Sequence, residues 1–263
     1  MTKILPECQA AIDAANEVLA DAGVSHPRDI VVPAIVGKNG GHILYGPTAT
    51  AKGNVVRAGK HAIIYVDETA RGTPRENTTL AHELGHMKMH ALVDHFSQCE
   101  PSEERRSGTS WRIEAEAYDF GRARMAPAWL AASYATALRP SLDDVERLAR
   151  TFRLSLEVTF IRYVQLADAI SVPCAGVLTS PSGLIKWAPE TRAFPGRIVK
   201  KRALHEATFA ARVLATKRDR GGAEREVPGA TWGGSATSNI AASFCSAGSA
   251  GGVTAPPLAM CFA

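Results

Sequence analysis

Thr79-Leu80-Ala81-His82-Glu83-Leu84-Gly85-His86 is the stretch on which the reading of this chain turns. On an α-helix, residues four apart share a face, so the imidazoles of His82 and His86 can reach one metal ion. Two neutral ring nitrogens at ~2.0–2.1 Å make half of a tetrahedral zinc site. Glu83 is turned ~100° round the helix from His82. It can reach a metal-bound water without binding the metal, and zinc lowers the pKa of such a water to about 7, where a carboxylate can take its proton. The pattern around the motif supports a helix with a core side and a ligand side. Leu80, Leu84, Met87 and Ala91 form an apolar stripe, while His82, His86 and His90 fall on another face. Gly85 costs ~1 kcal/mol relative to Ala inside a helix, and its place within the motif points to close packing.

A catalytic zinc takes three protein ligands and a water, so a third ligand is needed. One known extension of the motif would place Gly and His at positions 89 and 92, where this chain has Met89 and Leu92. His90 lies on the ligand face, but one straight helix does not readily deliver three ligands to one tetrahedral ion. His90 is therefore expected beside the ligands or in the core. The next helix, about Arg112 to Met125 and stopped by Pro127, offers Glu114 and Glu116. These are ~200° apart, so only one can face the metal. Ile113, Ala117 and Phe120 mark the buried side. Glu114 borders it and Glu116 points further outward, so periodicity favours Glu114 and leaves Glu116 open.

The motif helix, followed by Glu114-Ala115-Glu116-Ala117-Tyr118-Asp119-Phe120 and Met125-Ala126-Pro127, resembles the ImmA/IrrE family of metallo-endopeptidases. The likeness runs from about His61 to Leu130. It implies an α+β, zincin-like domain in which a small antiparallel sheet packs on the motif helix. It also implies zinc, or manganese, held by His82, His86 and Glu114, with Glu83 as catalytic base. Three positions depart from the family pattern: Tyr118 for Asn or Asp, Gly121 for Ala, and Arg124 for an apolar residue. In such folds an edge strand pairs with extended substrate, and His61–Val66 is the expected strand. The oxyanion partner is open among Tyr118, His90, His95 and Arg75. Family members cleave helix-turn-helix repressors in stress response or mobile-element control. A repressor of that type is therefore the expected protein partner, in the cytoplasm.

Upstream, Cys8, Ala11, Ile12, Ala15, Leu19 and Ala22 recur at helical spacing, with Gly23 as a stop. Ile30–Val36 and His42–Tyr45 read as strands joined by a hairpin turn at Lys38-Asn39-Gly40-Gly41. The motif helix is expected to start near Asn77 or Thr78. Downstream, Trp129 to Ala137 reads as a short helix. Ser141 reads as an N-cap for a helix through Phe152, and Arg153–Ser155 as a turn into another helix ending near Leu166. That pair resembles the family's helix-turn-helix-like module. Arg162 is the only base its second helix offers to DNA, so direct DNA binding is not expected. Ala175–Thr179 and Leu184–Trp187 read as a hairpin, and Leu204 to Leu214 as a helix.

The expected domains are 1–130, the metallopeptidase; 131–170, the helical module; 171–227, a small α/β region resembling a truncated sensory domain; and 228–263, a disordered tail. No charged residue follows Glu226.

The 263 residues, 46% hydrophobic and 21% charged, exclude a disordered or fibrous chain for most of the length. No apolar run approaches the ~20 residues that span a bilayer, and residues 1–10 do not read as a secretory leader. The five cysteines are scattered, which suits reduced thiols better than disulfides or a zinc ribbon. A net charge of +4 is too mild to imply nucleic acid. The basic stretch Lys186 to Arg225 reads first as a solvated face. The reading from a different class is a non-catalytic DNA- or repressor-binding regulator with a structural metal.

Overall fold

The computed structural model describes residues 7–47, 53–58, 61–90, 109–132, 140–180, 182–206, 211, 225–228, 239–245 and 258–262. The chain is α+β and divides into two units. One is Pro6–Ser133 with Leu148–Val158; the other is Met1–Leu5, Tyr134–Arg147 and Thr159–Ala263.

In the first unit, α1 (Gln9–Asp21) buries Ala11, Ala15, Val18 and Leu19 and ends where Gly23 adopts a φ of +74°. The expected strand Ile30–Val36 is instead α2 (Val32–Lys38). Pro33 sits in its first turn, where its fixed φ suits a helix and its missing N–H costs nothing. Val32, Ile35 and Val36 then bury at helical spacing. The expected hairpin turn is consequently a helix stop, with Gly40 at φ +79°, leading directly into β1 (Gly41–Gly46).

β2 (Gly53–Ala58) and β3 (His61–Asp67) complete a three-stranded sheet of order β1-β3-β2. The expected all-antiparallel sheet is mixed: β3 is antiparallel to β2 but parallel to β1. The chain reverses twice between β1 and β3, so the two run the same way, and β3 inserts between its predecessors. His61–Val66 is therefore the central strand and cannot accept a peptide at an edge; β1 and β2 hold the edges. Ala62, Ile64 and Val66 point from β3 into the core, while His61 and Ile63 face out.

α3 (Pro74–Met89) carries the histidine motif and starts a turn earlier than Asn77, because Pro74 after Thr73 is a favourable first residue. Its N-terminal end is tied to β1 through Glu76, which accepts from Tyr45 Oη and, at 2.6 Å, from the Gly72 N–H. Burial and Glu76 push the Tyr45 hydroxyl up to about 12, so it remains a donor. α4 (Thr109–Met125) follows, then α5 (Ala128–Ala131). The remainder of the expected Trp129–Ala137 helix lies outside the described residues. The Cys8 N–H, at the start of α1, donates to Asp119 Oδ2 of α4 at 3.0 Å.

α6 (Leu142–Phe152) is capped as expected, with Ser141 Oγ accepting from the Asp144 N–H at 3.2 Å. α7 (Leu156–Ala169) has the same device at Ser155. Arg153, at φ +54°, supplies the left-handed turn residue where a glycine is usual. Arg162 is buried and donates to Gln165, so α7 has no exposed base.

The second unit contains a five-stranded antiparallel sheet of order β5-β4-β8-β7-β6: β4 (Cys174–Thr179), β5 (Ile185–Trp187), β6 (Arg225–Pro228), β7 (Asn239–Cys245) and β8 (Leu258–Phe262). The β4–β5 hairpin is the expected one. β4 is buried throughout, and Phe160 of α7 occupies the space a side chain at Gly176 would need. Within the expected disordered tail 228–263, Asn239–Cys245 and Leu258–Phe262 are the strands β7 and β8. Their small and apolar residues look like low complexity locally, but β8 pairs β4 on one side and β7 on the other, and that pairing satisfies the backbone. Most of the expected Leu204–Leu214 helix lies outside the described residues.

Candidate metal centre

α3 and α4 approach closely because glycine faces the contact from each. A Cβ on Gly85 would lie 3.0 Å from the Ala117 carbonyl oxygen, 3.1 Å from its Cα and 3.1 Å from Phe120 Cδ1. A Cβ on Gly121 would lie 3.4 Å from Ala81 and His82 backbone atoms. This approach carries Glu114 to the histidine pair. Glu114 Oε2 is 3.2 Å from His82 Nε2, Glu114 Oε1 is 3.4 Å from His86 Nε2, and the two Nε2 atoms are 3.1 Å apart. Tetrahedral coordination with bonds of ~2.0–2.1 Å needs ligand atoms about 3.3 Å apart. The three groups fit that requirement and can hold a metal ion.

The electrostatics suit ligation. Burial pushes His82 below its ordinary value, which favours the neutral imidazole that a metal binds. Burial by itself would raise Glu114, but the adjacent imidazoles of His82 and His86 outweigh it and hold the carboxyl well below the usual range. Both groups are thus in their ligating forms at neutral pH.

The other sequence candidates separate cleanly. Glu116 stands apart from the cluster, 2.9 Å from Arg112 Nε and 3.2 Å from His90 Nε2. His90 lies behind His86, with the two Nδ1 atoms 3.2 Å apart, on the side away from Glu114. Glu83 is buried, its Oε1 directed at β2: a Cβ on Gly53 would come within 3.2 Å of that oxygen and 2.3 Å of Thr79 Cγ2. The Tyr118 ring lies 4.1 Å from the His82 ring, tilted by 39°, and remains 39% exposed. Among the described oxyanion candidates it combines contact with a cluster histidine and access to solvent. His90 is engaged with Glu116, Arg75 is exposed two turns before His82, and His95 lies outside the described residues.

Two features escaped the sequence reading. Gly53 and its strand went unread, although a glycine opening Gly53-Asn54-Val55-Val56 is the signal for a strand whose first residue meets another backbone closely. The partnership of Glu116 with His90 spans 26 residues and had no local signal.

Residues 37–163 match the family model Peptidase_M78, described as the IrrE N-terminal-like domain. No curated protein sequence matches the chain. Among solved structures, a Mycobacterium tuberculosis transcriptional regulator shares the fold, with a TM-score of 0.62 and 13% identity over 97% of this chain and 76% of that one.

Proposed function

We propose, on the premise that residues 37–163 belong to the Peptidase_M78 family of IrrE N-terminal-like domains, that this chain is a zinc-dependent endopeptidase. The observation that carries the reading is the convergence of His82, His86 and Glu114 at separations a single tetrahedral ion requires. In this reading those three residues are the ligands, and Mn²⁺ is the alternative metal. Bound zinc would supply Lewis acidity toward the scissile carbonyl and acidify the attacking water.

The same reading gives the protein's own residues their parts. Glu83, one residue from His82, accepts the proton of the attacking water on its carboxylate and returns it to the leaving amine. Gly53 keeps the adjoining edge strand close to that carboxylate. β2 is then the strand to which an extended peptide adds through free backbone N–H and C=O groups. In this reading Tyr118, beside His82, donates a hydrogen bond from its hydroxyl to the developing oxyanion.

Backbone pairing accepts many sequences, so selection of a folded partner is assigned to the rest of the chain. The partner in this proposal is a cytoplasmic helix-turn-helix repressor. The proposed layout keeps a zincin-like peptidase over 1–130, a helix-turn-helix-like pair over 131–170 and a sensory remnant after it. The remnant's sheet extends past residue 227 into β7 and β8.

A non-catalytic regulator with a structural metal is the second reading, favoured by the transcriptional regulator among the structural neighbours. Glu83 separates the two, because a structural site needs no base beside it. The full chain, Glu83→Gln and His86→Ala should be loaded with zinc and incubated with a helix-turn-helix repressor. The endopeptidase reading expects cleavage by the parent, zinc without cleavage in E83Q, and neither in H86A. Zinc uptake by the parent with no cleavage of any repressor, or equal cleavage by E83Q, would overturn it.

A further inference from the structure

His86 presents its two ring nitrogens to different neighbours. Nε2 faces the cluster, 3.1 Å from His82 Nε2 and 3.4 Å from Glu114 Oε1. Nδ1, on the opposite edge of the ring, is 3.2 Å from His90 Nδ1. A hydrogen bond between two imidazole nitrogens holds one proton, so one ring donates and the other accepts.

The direction can be worked out from both ends. A metal at His86 Nε2 needs the lone pair there, which puts the proton of the neutral ring on Nδ1. His86 is then the donor and His90 Nδ1 the acceptor. A neutral His90 accepting at Nδ1 carries its own proton on Nε2, and that nitrogen is 3.2 Å from Glu116 Oε2. A carboxylate there only accepts, so the assignment is consistent. The other oxygen of Glu116 accepts from Arg112 Nε at 2.9 Å. Every donor in the series meets an acceptor: Arg112 to Glu116, His90 to Glu116, His86 to His90. The inner members are sheltered, with side-chain exposures of 9% for His90 and 19% for Glu116, while Arg112 is 78% exposed and adds little.

We propose that His90 and Glu116 are positioning residues that hold the His86 ring in the tautomer leaving Nε2 free for the metal. The inference rests on the reading of His86 as a ligand. A ligand histidine whose far nitrogen is fixed by an acceptor is more basic and better oriented, and loss of such an acceptor lowers metal affinity about 10–100-fold.

The test compares His90→Asn, His90→Gln and His90→Leu in the full chain. Asn places an oxygen where His90 Nδ1 lies and can accept from His86. Gln reaches toward Glu116 but offers His86 no acceptor at that point, and Leu offers neither. Two readouts are taken: the zinc dissociation constant by chelator competition, and the His86 tautomer in the metal-free chain from imidazole ¹⁵N shifts. The parent and H90N should carry the His86 proton on Nδ1 and bind zinc within about threefold of each other. H90Q and H90L should shift the proton toward Nε2 and bind roughly 10–100-fold more weakly. Should H90L fail to fold, H90N against H90Q still decides. A parent with His86 protonated on Nε2, or H90Q indistinguishable from the parent in both readouts, overturns the proposal. A parent that takes up no zinc while showing the Nδ1 tautomer defeats the metal reading and leaves the hydrogen-bond series standing.

Discussion

Gly85 and Gly121 lie on facing helices, yet alanine at each should move stability in opposite directions. Both substitutions remove the glycine penalty in a helix, a gain of ~1 kcal/mol. At Gly121 the new methyl meets backbone atoms at 3.4–3.5 Å, ordinary contact distances, so the gain survives. Gly121→Ala should stabilise by about 0.5–1 kcal/mol, and it restores the residue usual in the family pattern. At Gly85 the methyl would sit 3.0–3.1 Å from the Ala117 carbonyl, the Ala117 Cα and the Phe120 ring. Two of these are backbone, and Phe120 is fully buried, so relief requires α4 to move rather than a side chain to rotate. Overpacking of this kind costs ~1–3 kcal/mol. Set against the propensity gain, Gly85→Ala should lose up to about 2 kcal/mol. Glu114 sits about one turn from Ala117 on α4, so the same movement pulls it from His82 and His86. Zinc affinity should fall roughly tenfold, the equivalent of ~1.4 kcal/mol. Urea denaturation midpoints and chelator competition measure the two effects. Gly85→Ala at parental stability with parental zinc affinity, or Gly121→Ala as the more damaging change, would refute the argument that helix approach builds the site.

Three further expectations concern charge and anchoring. Arg124 is fully buried with no hydrogen-bond partner among the described residues for Nε, Nη1 or Nη2, and burial pushes its guanidinium down to about 9. Arg124→Met should therefore raise stability by roughly 1–4 kcal/mol, and a lower urea midpoint than the parent would show that the charge is compensated. The metal-free chain should lose stability on acidification. His82 titrates below its unfolded value of 6.5, so the unfolded chain binds more protons as pH falls through that value. Glu114, depressed from 4.5, contributes stability present above 4.5 that is lost at still lower pH. Thermal melts at pH 7.5 and 5.5, with and without zinc, test this, and a metal-free chain more stable at pH 5.5 contradicts it. Glu76→Ala strips acceptors from Tyr45 Oη and the Gly72 N–H. A loss of about 1–3 kcal/mol is expected, and hydrogen exchange at Gly72 no faster than in the parent would count against it.

What the sequence by itself determined was carried by residues within about four positions of one another. The His82–Glu83–His86 face, the stop at Gly23, the cap at Ser141, the turn at Arg153–Ser155 and the β4–β5 hairpin are all set by local spacing, and the folded chain keeps them. Short apolar runs are ambiguous on the same ground: Val32–Val36 reads equally as strand or helix until Pro33 and the core choose helix. Tertiary structure decided whatever joins distant positions. Glu114 rather than Glu116 meets the histidines because Gly85 lets α4 close on α3, 32 residues away from His82 in the case of Glu114. Glu116 instead serves His90, β3 lies at the centre of its sheet, and β8 pairs β4 across most of the second unit. Helical and strand periods are imposed by backbone geometry on neighbouring residues, so a sequence displays them directly. Which elements then meet depends on how all the buried faces are satisfied together, and no local pattern encodes that choice.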